Sequence, residues 1–382
     1  MKRRLVILTE IISPYRIPLF NALAGESVDL HVIFLAETDP NLRQWQVYKD
    51  EIKFSYQVLP SWRKQLGKYK ALLNRGVARA LAAAAPEVVL CGGYSYVASW
   101  QALRWARSRR IPFLLWSESN RQDLRRGLAL VEYLKGKFLG KCSGFVVPGR
   151  SAMEYLLAHD VRQHMIFTAP NAVDNDLFAK ASARARQDKA SRRSELGLPE
   201  RYFLFVGRLV REKGVFDLLS AYAKLDEPVR QRFGLVFAGD GALRRQLQEQ
   251  AAAISPGAVR FPGFAQRERL AEYYALALAL VLPTYTDTWG LVVNEAMACG
   301  LPVILSRAAG CAADLVRENC NGLLVPPRDV PALASAMTSL AHQPDLRRAM
   351  GTDSVRRISH YSPAEWANGV VRAVETISGE RD

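Results

Sequence analysis

Short apolar runs alternate along this chain with longer segments of mixed apolar and polar residues. Eleven runs, three to eight residues long and rich in Val, Leu, Ile and Phe, are the predicted strands. They lie at Leu5–Ile11, Val28–Leu35, Val88–Cys91, Phe113–Trp116, Phe145–Pro148, Tyr202–Val206, Leu235–Ala238, Val259–Pro262, Leu278–Pro283, Val303–Ser306 and Leu323–Val325. Unbroken apolar strands separated by helices are typical of parallel sheets that are covered on both faces. The pattern predicts an α/β fold with two doubly wound domains.

A polar, Ala- and Arg-rich stretch at 180–193 separates the two series of strands and lacks an apolar stripe. At 382 residues the chain also exceeds the roughly 250–300 residues at which single cores divide. We therefore predict an N-terminal domain over 1–173 and a C-terminal domain over 174–363, with no core running through the stretch between them. A closing helix at 364–378, after Pro363, is expected to cross back to the first domain.

Composition excludes several classes of protein. An apolar content of 49% with 23% charged residues is typical of a globular chain, and no run approaches the roughly 18 apolar residues of a membrane span. The basic start resembles a signal peptide, but Glu10 interrupts the apolar run, so it is interpreted as a first strand. Five cysteines without CxxC spacing indicate neither a disulfide framework nor a zinc site, and reduced thiols fit a cytoplasmic location.

The net charge of +15 is concentrated in the first half. Residues 1–173 hold 25 Lys and Arg against 13 Asp and Glu, a net +12. Such asymmetry suggests an anionic partner, which would be nucleic acid, an anionic membrane surface or a phosphate-bearing acceptor; a solvated surface is the alternative. Aromatic and basic residues interleave over 62–79, as in an interfacial membrane contact. The basic residues there are Arg63, Lys64, Lys68, Lys70, Arg75 and Arg79.

The most informative segment is Pro283–Gly300. A strand is expected to end at Pro283, a polar loop carries Asp287, and a helix is expected to begin near Gly290 and to end at Gly300. The start of such a helix directs free N–H groups and a partial positive charge outward, which suits a diphosphate. Glu295, in the second turn, would accept hydrogen bonds from sugar or ribose hydroxyls, although a lone helical glutamate is ordinarily a solvated side chain.

A second polar segment follows the first predicted strand of the second half. Arg208 and Lys213 lie five residues apart in a turn that Gly207 and Gly214 bracket. Two cations there can converge on one pyrophosphate and stabilise the charge that grows on a leaving diphosphate, so that no metal is required. The alternative is that both are ordinary surface charges. The turn at 238–241, with Gly239, is a weaker candidate.

Together these segments resemble the retaining glycosyltransferases of family 4, within the glycosyl transferases group 1. The resemblance covers roughly 203–340. It is carried by Gly207-Arg208 with Lys213-Gly214, Ala238-Gly239-Asp240-Gly241, Phe261-Pro262-Gly263-Phe264, and Asp287 through Gly290 to Glu295 followed by Ala296-Met297-Ala298-Cys299-Gly300-Leu301-Pro302-Val303. It implies the GT-B fold, in which two Rossmann-like domains face each other across a cleft.

The resemblance assigns the donor diphosphate to Arg208 and Lys213. The backbone of Gly290, Leu291 and Val292 would receive its phosphate oxygens. Glu295 would bind the ribose hydroxyls, and the leaving phosphate itself would serve as the base, so that the protein supplies no nucleophile. Neither a metal nor another cofactor is then expected.

Further donor contacts are predicted for Asp287 with the transferred sugar, for Phe264 with the nucleobase, and for Gly207, Gly239 and Trp289. The family usually has Glu where Asp287 stands. The shorter acid reaches about 1.5 Å less, which leaves the identity of the sugar open.

The first half resembles the family less. Where relatives carry a glycine pair, this chain has a loop with Tyr15 and Arg16, and we expect this loop to face the cleft with Arg16 placed for an anion; capping of the next helix is the alternative. Many relatives have a histidine where Glu118 stands, and Glu118 would accept the proton of the acceptor or stabilise cationic character at the anomeric carbon. Asn171 is expected to line the cleft.

The acidic pair Asp174 and Asp176 superficially resembles a metal-binding DxD motif. It is interpreted instead as a turn cap in the interdomain segment. No metal site is therefore predicted.

The predicted function is a retaining, metal-independent hexosyltransferase. It would move a sugar from a UDP- or GDP-linked donor to a glycan or lipid-linked acceptor in cell-surface polysaccharide or glycolipid synthesis, in the cytoplasm and peripherally at the inner membrane face. The alternatives are a non-catalytic protein that binds sugar nucleotides or polyanions, and a nucleotide-sugar epimerase. Nucleic-acid binding is disfavoured because no reader motif accompanies the charge.

Overall fold

The computed structural model describes residues 2–39, 45–66, 69–120, 129–255 and 257–379, with side chains except at 64–66, 69–70 and 129–130. Contacts between Cα atoms divide the chain into two compact units. Unit 1 comprises residues 1–173 and 362–382, and unit 2 comprises residues 174–361.

Unit 1 is built on a parallel sheet of seven strands. The strands of this unit are β1 (Arg3–Thr9), β2 (Val28–Phe34), β3 (Ser55–Val58), β4 (Ser61–Leu66), β5 (Tyr69–Asn74), β6 (Val88–Cys91), β7 (Phe113–Trp116), β8 (Gly144–Val147) and β9 (Ile166–Thr168). The order across the sheet is β3-β2-β1-β6-β7-β8-β9, while β4 and β5 form a separate antiparallel hairpin. Its helices are α1 (Ile17–Ala24), α2 (Val77–Ala84), α3 (Val97–Ser108), α4 (Ala129–Leu139), α5 (Arg150–Leu157) and a C-terminal helix (Pro363–Gly379).

Both faces of this sheet are buried. Along β1, Leu5 and Ile7 belong to one apolar cluster, and Val6 and Leu8 belong to the other, as the alternation of side chains in a strand requires. The first cluster contains residues of α1 and of the C-terminal helix, and the second contains residues of α2, α3 and α5. The unbroken apolar character of the strands follows from this double burial.

The C-terminal helix packs closely against unit 1. Trp366 is fully buried, and its ring centroid lies 5.7 Å from that of Phe20 and 5.1 Å from that of Trp116. At Gly369 an added Cβ would lie 2.4 Å from the carbonyl oxygen of Thr168, so only glycine permits this approach to β9. The helix therefore completes the core of the unit formed by the first part of the chain.

Unit 2 is built on a parallel sheet of six strands. The strands are β10 (Tyr202–Val206), β11 (Gly234–Ala238), β12 (Val259–Gly263), β13 (Ala279–Leu282), β14 (Val303–Ser306) and β15 (Gly322–Val325), in the order β12-β11-β10-β13-β14-β15. Its helices are α6 (Asn175–Gln187), α7 (Lys189–Glu195), α8 (Val215–Ala223), α9 (Glu227–Arg232), α10 (Arg244–Ile254), α11 (Arg267–Leu276), α12 (Leu291–Ala298), α13 (Ala312–Leu315), α14 (Val330–His342) and α15 (Pro344–Ile358).

The eleven predicted strands are all present, with ends that differ by at most two residues. The α/β prediction with two doubly wound parallel sheets is confirmed. Strands β3 and β9 were not predicted because both are short and lie at the sheet edges, where exposed residues interrupt the apolar pattern. The hairpin of β4 and β5 has no apolar run either.

The prediction that no core runs through 180–193 is wrong. This stretch lies in α6 and α7, and α6 packs against α11 and α12 with Phe178, Ser182 and Ala185 buried. Small residues let helix backbones approach closely without a stripe of large apolar side chains. The part of this stretch in α6 is consequently packed into unit 2, whereas α7 has no buried residue.

We expect Trp366→Ala to lower the free energy of unfolding of unit 1 by about 3–5 kcal/mol, because it removes a fully buried aromatic side chain. Arg372→Ala, at an exposed position of the same helix, is the matched control and should change it by less than about 0.5 kcal/mol. Urea denaturation followed by circular dichroism measures both. A Trp366→Ala protein as stable as the control would contradict the packing of this helix into the core.

Candidate active site

The polar residues of unit 2 gather where the strand order of its sheet reverses. Strands β10 and β13 are neighbours, and the chain continues outward from them in opposite directions. The carboxyl ends of parallel strands at such a reversal form a crevice in which ligands bind. Lys213 lies in the turn after β10, and Asp287 lies in the loop after β13.

Direct backbone contacts hold these two loops together. The hydroxyl of Thr284 and the N–H of Tyr285 both donate to the carbonyl oxygen of Glu212, at 3.0 and 2.8 Å. Gly214 has a φ of +66°, and a Cβ there would lie 2.1 Å from the carbonyl oxygen of Pro283. Glycine is therefore required at 214 for the contact between the two loops.

Lys213 and Asp287 form an ion pair through Nζ and Oδ2, and both side chains are largely buried. The sequence assigned Lys213 to a phosphate and Asp287 to a sugar, and the structure brings the two together. The carbonyl oxygen of Asp287 also accepts from the N–H of Gly310 at 2.9 Å, in the loop after β14. A Cβ at Gly310 would lie 1.9 Å from the carbonyl oxygen of Thr288. Asp287 is thus fixed by loops from both neighbouring strands.

Helix α12 begins beside this ion pair. Gly290 precedes its first residue with a φ of +98°, and no side chain caps the helix. A Cβ at Gly290 would lie 3.5 Å from Oδ2 of Asp287, so the carboxylate borders the helix start. The first N–H groups of a helix, here those of Leu291 and Val292, have no acceptor within it and point toward this edge of the sheet.

The side chain of Trp289 does not fit the predicted contact with a ligand. It is only 3% exposed, and its indole Nε1 donates to Oδ1 of Asn294 at 2.9 Å. The ring packs inside unit 2, where it lies 6.5 Å from the ring of Tyr361. Any contact of Trp289 with a donor would therefore come from its backbone.

Glu295 lies one turn along α12 and is bound by a residue that the sequence did not single out. The hydroxyl of Tyr274 donates to Oε2 of Glu295 at 2.7 Å, and the Tyr274 ring lies 6.2 Å from Phe178 of α6. Burial raises the pKa of the Glu295 carboxyl from 4.5 to about 7, and the hydrogen bond from Tyr274 opposes this shift. Nothing in the sequence around Tyr274 signalled the contact, because it arises from the packing of α11 on α12.

The other predicted donor residues of unit 2 differ in exposure. Arg208 is exposed, and within the described ranges its side chain makes no hydrogen bond or ion pair. Phe264, immediately after β12, is 43% exposed. At Gly239 a Cβ would lie 1.9 Å from the carbonyl oxygen of Gly207, so glycine at 239 permits the close packing of the two neighbouring turns.

In unit 1, three of the predicted residues meet. Nη2 of Arg16 and Nδ2 of Asn171 both donate to Oε1 of Glu118, at 2.7 and 2.8 Å. These residues follow β1, β9 and β7, whose carboxyl ends lie on the same edge of the parallel sheet. We call Arg16, Glu118 and Asn171 the acceptor cluster.

The anion predicted for Arg16 is present within the protein itself. Glu118 provides the negative charge, while the guanidinium carbon of Arg16 lies 3.8 Å from the centroid of the Trp116 ring. Tyr15 lies beside it, with the guanidinium 5.5 Å from its ring centroid and the Trp45 ring edge-on at 5.6 Å. The predicted contact of Arg16 with an anion of the ligand stays a prediction.

Of the acidic pair Asp174 and Asp176, Asp174 has the predicted capping role. Oδ1 of Asp174 accepts from the N–H of Leu177 at 2.9 Å and caps α6, and Asp176 is exposed. In the described part of the chain, no group of three His, Cys, Asp or Glu residues is arranged to hold a metal ion. No helix there is long and apolar enough to cross a membrane.

Comparison with known proteins finds relatives for the sequence of unit 2. Residues 186–356 match the family model described as "Glycosyl transferases group 1". The D-inositol 3-phosphate glycosyltransferase of Corynebacterium jeikeium is 36% identical over 212 residues, which are 53% of this chain and 49% of that protein. The putative teichuronic acid biosynthesis glycosyltransferase TuaC of Bacillus subtilis is 32% identical over 159 residues, 41% of this chain and 38% of that protein. This chain thus spans about half the length of the first relative, and the predicted resemblance to the glycosyl transferases group 1 is confirmed for residues 186–356.

The fold has a close structural counterpart. The structure of Anabaena Alr3699/HepE in complex with UDP and glucose matches with a TM-score of 0.76 at 16% identity, over 97% of this chain and 99% of that chain. At this identity the likeness establishes the fold alone, and the predicted GT-B fold is confirmed. Family 4 membership and the individual site residues stay predictions.

The pKa of Glu295 gives a pH dependence of stability. The Glu295 carboxyl holds its proton more tightly in the folded protein than in the unfolded chain, so protonation of Glu295 stabilises the fold. This stabilisation is fully present below pH 4.5 and is lost as the pH rises through about 7. We expect Glu295→Gln, which cannot titrate, to remove this part of the pH dependence. Denaturant unfolding of both proteins at pH 5 and pH 8 measures it, and identical pH dependence in the two would contradict the raised pKa.

Proposed function

We propose that this chain, whose residues 186–356 match the glycosyl transferases group 1, is a retaining glycosyltransferase that binds a nucleoside-diphosphate sugar in unit 2. The observation that carries the proposal is the convergence of Lys213, Asp287 and the start of α12 at the strand-order reversal of the unit 2 sheet. Positive groups and an uncapped helix start on rigid loops are what a diphosphate requires.

The proposed phosphate site combines three sources of positive potential. Arg208 has no competing partner in the described chain, Lys213 would share its charge between Asp287 and a phosphate, and the N–H groups at the start of α12 would bind phosphate oxygens. Such fixed groups stabilise the charge that develops on the leaving diphosphate without rearrangement. This supports a metal-independent reaction with no additional cofactor.

The nucleoside would lie beside α12 and β12. Glu295, when ionised, accepts ribose hydroxyls, and the exposed ring of Phe264 offers a face for the base. A UDP donor is supported by the structural counterpart from Anabaena, whose complex contains UDP and glucose, and a GDP-linked sugar is the other candidate. Asp287 would bind a hydroxyl of the transferred sugar.

We infer a retaining reaction in which the leaving phosphate removes the proton from the attacking hydroxyl of the acceptor. The new glycosidic bond forms on the face from which the diphosphate departs, and the proton goes to the diphosphate. The catalytic residues proposed are Arg208, Lys213, Asp287 and Glu118. The first three bind the departing group and the sugar, and none of them needs to act as a nucleophile.

The acceptor would be a glycan or a lipid-linked sugar, used in cell-surface polysaccharide or glycolipid synthesis and bound by unit 1. Helix α4 presents Val131, Tyr133 and Leu134 at 51%, 63% and 42% exposure, with the Lys137 ammonium 5.6 Å from the Tyr133 ring centroid. Apolar and basic groups on one helix support a peripheral contact with an anionic membrane on the cytoplasmic side.

The predicted basic stretch can be followed only in part. Lys68 lies outside the described residues, and the side chains of Lys64 and Lys70 are not described. Arg63 pairs with Asp39.

Two other functions would use the same fold. A non-catalytic protein would bind the sugar nucleotide without cleaving the bond between the sugar and the diphosphate. An epimerase would need further acids or a base beside the sugar ring. Acceptor-dependent release of free nucleoside diphosphate, with no epimerised product, separates the transferase from both.

We expect Arg208→Ala to lower kcat by at least about 100-fold, because it removes a cation that stabilises the leaving diphosphate. Arg245→Ala is the matched control, since Arg245 is 92% exposed on α10 of the same unit. The donor for this assay is the sugar nucleotide that most strongly raises the melting temperature of the protein. Release of nucleoside diphosphate from this donor gives kcat for both variants. Equal turnover by the two variants would remove Arg208 from the proposed site.

Chelation tests the proposal that protein groups alone neutralise the diphosphate. Dialysis against EDTA should leave kcat within about twofold of its starting value, because the charge is compensated by side chains and a helix start. Loss of activity that magnesium or manganese restores would show that a metal ion is needed.

A further inference from the structure

The acceptor cluster of unit 1 is electrically neutral. Arg16 contributes one positive charge and Glu118 one negative charge, and their side chains are only 16% and 34% exposed. Both Arg16 and Asn171 donate to the same carboxylate oxygen, Oε1 of Glu118. The pair is therefore held in one geometry by residues from three separate loops.

The second carboxylate oxygen remains available. Within the described residues no protein group donates to Oε2 of Glu118, while the side chain keeps a third of its surface exposed. An ionised carboxylate oxygen can only accept a hydrogen bond. The cluster thus offers an acceptor to an incoming O–H group.

The guanidinium of Arg16 contacts Glu118 through one edge and the Trp116 ring through its face. Glu118 occupies one edge at 2.7 Å, and the Trp116 ring lies against the face with 3.8 Å from the guanidinium carbon to the ring centroid. An anionic ligand that approached this arginine would meet the negative charge of Oε2 of Glu118. Like charges repel each other at short range, so this position disfavours an anion.

We propose that the acceptor group bound at the acceptor cluster is an uncharged carbohydrate hydroxyl, which donates to Oε2 of Glu118, and that the Glu118–Arg16 pair rejects phosphorylated acceptors there. The ring of Tyr15 beside Arg16 supplies an apolar surface for the C–H face of the sugar. This inference rests on the proposed function. It assigns an acceptor chemistry different from the inositol 3-phosphate in the name of the Corynebacterium jeikeium relative.

The test compares acceptors that differ only by a phosphate, namely myo-inositol with inositol 3-phosphate and glucose with glucose 6-phosphate. Ligand-observed NMR with the full chain and UDP measures the binding of each acceptor. The kcat/KM for each acceptor is measured with the sugar nucleotide that most strongly raises the melting temperature of the protein. We expect the neutral member of at least one pair to be favoured at least about tenfold. A preference for the phosphorylated members, or binding of neither class, overturns the inference.

Glu118→Gln removes the negative charge and leaves Arg16 uncompensated. We expect this variant to shift the preference toward the phosphorylated member by at least about tenfold, mainly through KM of the acceptor. Glu118→Asp keeps the charge and should retain the neutral preference, and Glu154→Gln, on α5, is the matched control. An unchanged preference in Glu118→Gln overturns the inference.

Donor binding separates this inference from the proposed function. The melting temperature of each variant with and without UDP and GDP reports on unit 2, and Glu118→Gln should respond as the wild type does. If no sugar nucleotide or nucleoside diphosphate stabilises the wild type, the proposed function fails. If the donor stabilises it and the acceptor preference is the reverse of that expected, only the assignment of the acceptor fails.

Discussion

The start of α12 beside the Lys213–Asp287 ion pair is the interaction on which the rest of the unit 2 site depends. It places a cation, a carboxylate and uncapped N–H groups at one point on the edge of a rigid parallel sheet. The surrounding glycines make this possible, because Gly214 and Gly310 occupy positions where a Cβ would collide with the backbone of a neighbouring loop. The loops are therefore locked to each other before any ligand binds, which is the preorganisation that phosphate chemistry requires.

Helix α12 also packs against α6, a helix whose polar sequence suggested a linker. Arg186 of α6 donates to the carbonyl oxygen of Ala275 at 3.2 Å and to that of Cys299, and so satisfies the ends of α11 and α12. On the same helix, Phe178 packs against Tyr274, whose hydroxyl binds Glu295. Helix α6 thus contributes to the position of Tyr274, which binds the predicted donor residue Glu295.

The sequence predicts what local pattern determines and fails where distant packing decides. Eleven buried strands and the start of α12 follow from apolar runs and from glycine placement, and the group 1 motifs led to the fold. The edge strands β3 and β9 were missed because their exposed residues break the apolar pattern. The polar composition of α6 suggested a linker, since contacts through Ala and Ser leave no apolar stripe. The ion pair of Arg16 could not be predicted either, because its partner Glu118 is 102 residues away.

The central claim is that unit 2 binds a diphosphate through fixed positive groups. The most direct test is isothermal titration of the full chain with UDP and uridine, and with GDP and guanosine. The account predicts that one diphosphate binds at least about 100-fold more tightly than its nucleoside, a difference of about 2.8 kcal/mol that falls as salt is added. Equal affinity for nucleoside and diphosphate in both pairs would contradict it.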